Sequence, residues 1–124
     1  MKQLLILITL MSSLIMSSVA YADWTKVLTE NGNNIYADYD KVRERNGNYL
    51  VWMLGNYAGS SSSLHLAEVD CALFRVKVLQ LTFYEKHWAS GSSKRVQGTA
   101  DPWNFMEPNS YEERLYKKIC KKLD

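Results

Sequence analysis

The sequence is 124 residues long, 47% hydrophobic and 23% charged, with a formal net charge of +2 at pH 7. Such a length holds one ordinary globular domain and excludes a second of typical size. So small a charge argues against a nucleic-acid partner, which needs a concentrated basic surface.

Residues 1–22, MKQLLILITLMSSLIMSSVAYA, read as an export signal rather than as fold. Lys2 gives a positive start, Leu4 to Met16 an apolar run, and Ala20-Tyr21-Ala22 the small-x-small pattern of a cleavage site. Cleavage is expected between Ala22 and Asp23, leaving a single domain over 23–124. The competing reading is an uncleaved membrane anchor. A spanning helix needs ~20 mostly apolar residues. This run is shorter, and Ser12, Ser13, Ser17 and Ser18 dilute it. Asp23, not a cysteine, follows the cleavage point, so no lipid anchor is expected. The expected location is periplasmic or secreted.

The rest of the chain reads first as strands. Trp24–Thr29 alternates, Asn31-Gly32-Asn33-Asn34 is a strong turn signal, and Ile35–Tyr39 completes a hairpin. Asp40-Lys41-Val42 is a connector and Asn46-Gly47-Asn48 a second turn. Tyr49–Ala58 is a long strand with Leu50, Trp52 and Leu54 on one face and Tyr49, Val51, Met53 and Tyr57 on the other. Both faces are apolar, which predicts a central position in the sheet. Ser63–Ala72 and Leu73–Lys86 are further extended segments. Within the second, Arg75 and Lys77 share a phase with Leu79, Leu81 and Phe83, so a bulge near Val78–Gln80 is predicted. Lys94–Gln97 reads as a charged edge strand. The serine-rich pieces Gly59-Ser60-Ser61-Ser62-Ser63 and Ser90-Gly91-Ser92-Ser93 read as flexible turns.

The C-terminus is helical. Ser110-Tyr111-Glu112-Glu113 has capping-box spacing. Acidic residues at the start and Lys117, Lys118, Lys121 and Lys122 at the end suit the helix dipole. Tyr111, Leu115 and Ile119 form an apolar stripe, widened by Tyr116, Cys120 and Leu123. The resulting fold class is α+β: an antiparallel sheet of about five to six strands with a C-terminal helix packed on it.

Cys71 and Cys120 are the chain's two cysteines. In an exported protein an even pair reads as a disulfide. The alternatives are a metal site or a catalytic thiol, and two isolated cysteines with no nearby histidine do not make a zinc set. The bridge would close a loop of roughly 50 residues and contribute about 4 kcal/mol in the chain-entropy description.

Several short segments occur in a telling order: Trp24; Tyr36-Ala37-Asp38-Tyr39-Asp40; Val51-Trp52-Met53-Leu54 with Asn56-Tyr57; Val69-Asp70-Cys71; Thr82-Phe83-Tyr84 before Gly91; Trp103; and a helix carrying Cys120. Together they resemble the surface-adhesin protein E family, small exported proteins of Gram-negative bacteria, over nearly all of the mature chain. The resemblance implies an antiparallel sheet, a C-terminal helix on it, and a bridge from the Asp-Cys strand to that helix. It further implies adhesion to host matrix and serum proteins such as laminin, vitronectin and plasminogen. The family's namesake type is a surface lipoprotein. This chain lacks the lipid-acceptor cysteine, which favours a soluble periplasmic or secreted form.

Residues suited to chemistry are sparse. Neither His65 nor His87 has a ligand partner at i+3 or i+4, and the serine clusters lack a G-x-S-x-G elbow. No metal, cofactor or catalytic set is expected. Asp38, Asp40 and Asp70 can be drawn as an acid pair, but Asp70 beside Cys71 suits a local cap equally. Lys117, Lys118 and Lys121 are either a solvated helix face or a patch for acidic glycans or a lysine-binding host protein. Trp103 is expected to plug the end of the core rather than present a contact. The expected function is a non-enzymatic binding domain with a host or periplasmic protein partner and an edge strand open to homodimerisation. The alternative is a soluble periplasmic accessory protein with a bacterial partner and no host ligand.

Overall fold

The computed structural model describes residues 22–96 and 103–121. The predicted export leader and the stripe residue Leu123 lie outside the described residues.

The described residues form eight strands in one antiparallel sheet, followed by one helix. The strands are β1 (Thr25–Glu30), β2 (Asn33–Ala37), β3 (Arg43–Arg45), β4 (Asn48–Asn56), β5 (Ser62–Asp70), β6 (Arg75–Lys86), β7 (Ser90–Val96) and β8 (Asn104–Phe105). The helix, α1, is Tyr111–Cys120. The main sheet order is β1-β2-β4-β5-β6-β7, with β3 on β4 and β8 on β6. The six long strands are those the alternation predicts, while β3 and β8 are short additions.

Two hairpins follow directly from residue type. Glu30 pairs with Asn33, and Asn31 and Gly32 between them have φ of 53° and 79°. Arg45 pairs with Asn48, and Asn46 and Gly47 have φ of 52° and 84°. Two successive left-handed residues match the twist of the flanking strands, and Asn-Gly reaches that geometry at least cost.

Strand β4 is central, as both its faces require, with β2 and β3 along one side and β5 along the other. Val51 and Met53 point beneath the helix and are fully buried. Their cross-strand neighbours Ala37, Ala67 and His65 lie on the same face. Leu54, on the opposite face, is also buried, with Tyr36 and Leu64 across from it. The predicted irregularity in β6 is present. Leu66 pairs with Gln80 and Ala67 with Val78, leaving Leu79 as the extra residue. The bulge restores phase, so Val76 and Val78 share the helix-covered face with Leu81.

Helix α1 begins as predicted, with the Ser110 hydroxyl accepting from the Glu113 amide at 3.2 Å. The Glu113 carboxylate reaches back one residue further than a standard box, to the Asn109 amide at 3.4 Å. The chain leaves the helix at Lys121 in a left-handed conformation, φ 54°. Leu115 and Tyr116 are buried in the core with Val51, Met53, Ala67, Val69 and Val76. Tyr116 also meets Phe74 edge-on at 4.5 Å and donates its hydroxyl to the Cys71 carbonyl at 2.7 Å. At the helix end, Cys120 is bonded to Cys71, with 5.7 Å between their α-carbons. That separation sits inside the range natural bridges use. Losing the cap should weaken this attachment measurably. Ser110→Ala is expected to cost about 1 kcal/mol, read as a lower urea midpoint with an unchanged slope.

Two loop expectations are corrected. Ser62 and Ser63 belong to β5 and are fully buried. The Ser62 hydroxyl is shared between the Lys86 carbonyl and the Ala89 amide, and Ser63 is hydrogen-bonded to the Tyr57 hydroxyl. The segment Ser90-Gly91-Ser92-Ser93 is not a turn but the first half of β7.

Candidate functional site

Lys117 and Lys118 lie in the last turn of α1, and Lys121 is the left-handed residue that ends it. Lys118, Ile119 and Lys121 form one wall of a cleft, and Tyr39, Val42 and Tyr49 form the other. Its volume is about 250 Å³. Tyr39 is placed by the 3-10 turn Tyr39–Lys41 after β2, and Tyr49 by the start of β4. The Lys118 ammonium stands 5.7 Å from the centre of the Tyr39 ring, within cation–π range. Burial pushes the Tyr39 phenol above its ordinary value, so it remains a neutral hydroxyl. Lys117 is not part of this cleft. Its ammonium pairs with Glu113 one turn back, at 3.3 Å.

The structure therefore brings together two of the three predicted lysines and adds two tyrosines. An ammonium over an aromatic ring, with a second lysine lining the same cleft, suits a carboxylate- or sulfate-bearing segment with an apolar flank.

The acidic residues do not converge into a reacting pair. Asp70 closes the β5–β6 turn, accepting from the Ala72 and Leu73 amides at 3.1 and 3.2 Å and from Arg75 at 2.9 Å. Burial pushes its carboxyl up, but the Arg75 bond, the two amides and the Arg75 charge together hold it below the usual value. Glu68 is treated similarly: burial raises it, while Asn48, Arg45 and the Lys77 charge bring it net downward. Asp38 is buried, with Lys41 at 3.9 Å, and Asp40 lies on the surface beside Asp23. His87 is hydrogen-bonded to the Tyr57 carbonyl at 2.8 Å. No group of three metal-ligating side chains exists among the described residues.

Trp103 does not plug the core. It is half-buried at the sheet edge and carries the Arg75 guanidinium at 4.3 Å and the Lys77 ammonium at 4.5 Å over its ring.

The sequence profile of the surface-adhesin protein E family matches residues 24–121. The chain belongs to that family. A crystal structure of Haemophilus influenzae protein E, crystal form II, is similar in fold, with a TM-score of 0.58 and 13% identity. The alignment covers 85% of this chain and 97% of that one. At so low an identity the likeness speaks to the fold alone. No curated relative matches the chain. Among the described residues, no helix is long and apolar enough to cross a membrane.

Two surface features escaped the sequence reading. Tyr39 and Tyr49 looked like strand residues, and only the packing of the end of α1 against the β2–β3 connection and the start of β4 sets them beside the lysines. Trp88 is 53% exposed on the far face of the sheet, its ring tilted against Tyr36 with 4.9 Å between centres. Its backbone is left-handed, φ 60°, an uncommon state for a bulky residue, and its amide is held by the Asn56 side chain at 2.8 Å.

Proposed function

We propose that this protein is an exported, non-enzymatic binding domain of the adhesin type. Its contact surface is the cleft formed by Lys118, Lys121, Tyr39 and Tyr49. The favoured partner is an acidic segment of a host matrix or serum protein. The observation that carries this reading is the Lys118 ammonium over the Tyr39 ring in a cleft that Lys121 and Tyr49 also line. Family membership supports an adhesin-like role.

A second reading is a soluble periplasmic accessory protein serving a bacterial partner. It draws on both cysteines of the sequence being occupied in the bridge, with neither serving as a lipid acceptor. In either role β7, which ends the strand order among the described residues, offers an edge for pairing with a second copy of the chain.

Surface plasmon resonance on laminin, vitronectin and plasminogen, beside a periplasmic extract, tests the proposal. Lys118→Ala with Lys121→Ala is expected to weaken host-protein binding about tenfold and to flatten its salt dependence. Lys117→Ala, whose charge is engaged with Glu113, should leave both unchanged. Equal loss in all lysine variants, or binding indifferent to salt, defeats the assignment of the surface. Capture from the periplasmic extract alone favours the accessory role.

A further inference from the structure

His65 lies on the helix-covered face of β5 and is 8% exposed. Its ring meets Tyr111 edge-on with 6.5 Å between centres. Among the described residues, neither of its ring nitrogens has a hydrogen-bond partner. Among the described residues the sealed polar side-chain atom without a partner is Asp38 Oδ1, so the His65 nitrogens are instead reached from open space beside the ring, where a water or a ligand can meet them. The ring faces a cavity of about 330 Å³ between α1, β8 and the bulged part of β6. One water takes up about 30 Å³ of liquid, so the space exceeds what a bridging water needs. It is near the lower end of small-molecule sites, which run from about 300 Å³ upward.

The lining is of two kinds. Met53, Val76, Val78 and Leu115 make an apolar floor. Around it stand the polar groups of His65, Tyr111, Glu107 and Glu112. Burial keeps the imidazole neutral at physiological pH, so one ring nitrogen is a free acceptor. The Tyr111 phenol is held protonated by burial first and by the neighbouring Glu112 charge second. Glu107 is exposed at the rim. Lys77 also borders the cavity, but its ammonium is engaged over the Trp103 ring. Acceptors and negative charge thus dominate the rim. Glu112 and Glu113 already answer the positive end of the helix dipole, which leaves an anion little to gain there.

We propose that this cavity binds a small organic amine with an apolar body. The ammonium sits between Glu107 and Glu112, and the hydrocarbon part rests on Met53, Val76 and Leu115. His65 accepts a hydrogen bond from the bound molecule. The site is separate from the lysine cleft, so failure at one leaves the other standing.

The experiment uses the purified disulfide-bonded protein and three probes of one shape: phenethylamine, phenethyl alcohol and hydrocinnamate. Binding is followed by the His65 and Tyr111 ring resonances in NMR. The amine should shift both saturably and bind about tenfold more tightly than the alcohol, as one charged hydrogen bond warrants. Hydrocinnamate should bind more weakly than either. Glu107→Gln, a surface change that leaves the fold intact, should remove most of the preference for amine over alcohol. The proposal falls if no probe shifts the two rings or if hydrocinnamate binds best. It falls equally if Glu107→Gln leaves the preference intact.

Discussion

Cys71→Ser with Cys120→Ser is expected to lower the folding stability by about 4 kcal/mol, from a bridge that spans 49 residues. The number follows from loop-closure entropy returned to the unfolded chain. It is a large part of the roughly 5–15 kcal/mol that holds a typical domain together. The loss should also be uneven. The helix has ten residues, fewer than the ~12–15 that an isolated helix needs even to be marginal in water. It is kept in place by Leu115 and Tyr116 in the core, by the Tyr116–Cys71 hydrogen bond and by the bridge. The sheet, in contrast, has continuous ladders from β1 to β7. Without the bridge, amide exchange should quicken first in α1 and in the Cys71–Phe74 turn, then in β5. Urea unfolding of oxidised and reduced protein, with hydrogen exchange by residue, measures both parts. Equal midpoints with and without reductant would contradict this account.

What the sequence made legible was the part governed by local chemistry. Asn31-Gly32 and Asn46-Gly47 announce hairpins because few other pairs reach two consecutive left-handed conformations cheaply. Ser110 and Glu113 announce the helix start, and the broken phase of Arg75–Phe83 announces the bulge at Leu79. The turn between β6 and β7 was hidden for the opposite reason. Gly91 drew the expected turn towards itself, yet the chain reverses at Trp88 and Ala89, with φ of 60° and 53°. Nothing in those two residues favours that geometry. It is imposed by Asn56 on the Trp88 amide and Ser62 on the Ala89 amide, groups 32 and 27 residues away. Trp103 misled for a related reason. Its size argues for the core, but Arg75 and Lys77 reach it first at the sheet edge. The lysines at the end of α1 were visible as a charge cluster. Which two face the tyrosines depends on how the helix crosses the sheet, and no local pattern encodes that. His65 was set aside for want of a ligand partner in sequence, a test that cannot detect a cavity.

That same histidine gives the protein a second large and separable dependence, this time on pH. Burial lowers the His65 pKa from 6.5 to about 4. The unfolded chain takes up a proton between those values and the folded one refuses it. Stability from this source is therefore fully present above pH 6.5 and is lost as pH falls towards 4. The gap corresponds to about 3 kcal/mol. Tyr111 and Leu115 from α1, Met53 from β4 and Leu81 from β6 surround the ring, and the nearby charged groups are Glu107, Glu112 and Lys77. The buried carboxylates behave differently. Glu68 and Asp70 have folded values below 4.5 and 3.8, so their contribution is intact above those values and disappears only in stronger acid. The two windows can be told apart. Chemical denaturation of the native chain should show a steady fall in stability from about pH 6.5 towards pH 4, with a second fall in stronger acid. In His65→Gln the first limb should vanish and the second should persist. A wild-type profile that is flat between about pH 6.5 and pH 4 would mean that the folded imidazole accepts its proton as readily as the unfolded one. Persistence of the slope in His65→Gln would assign it to another group.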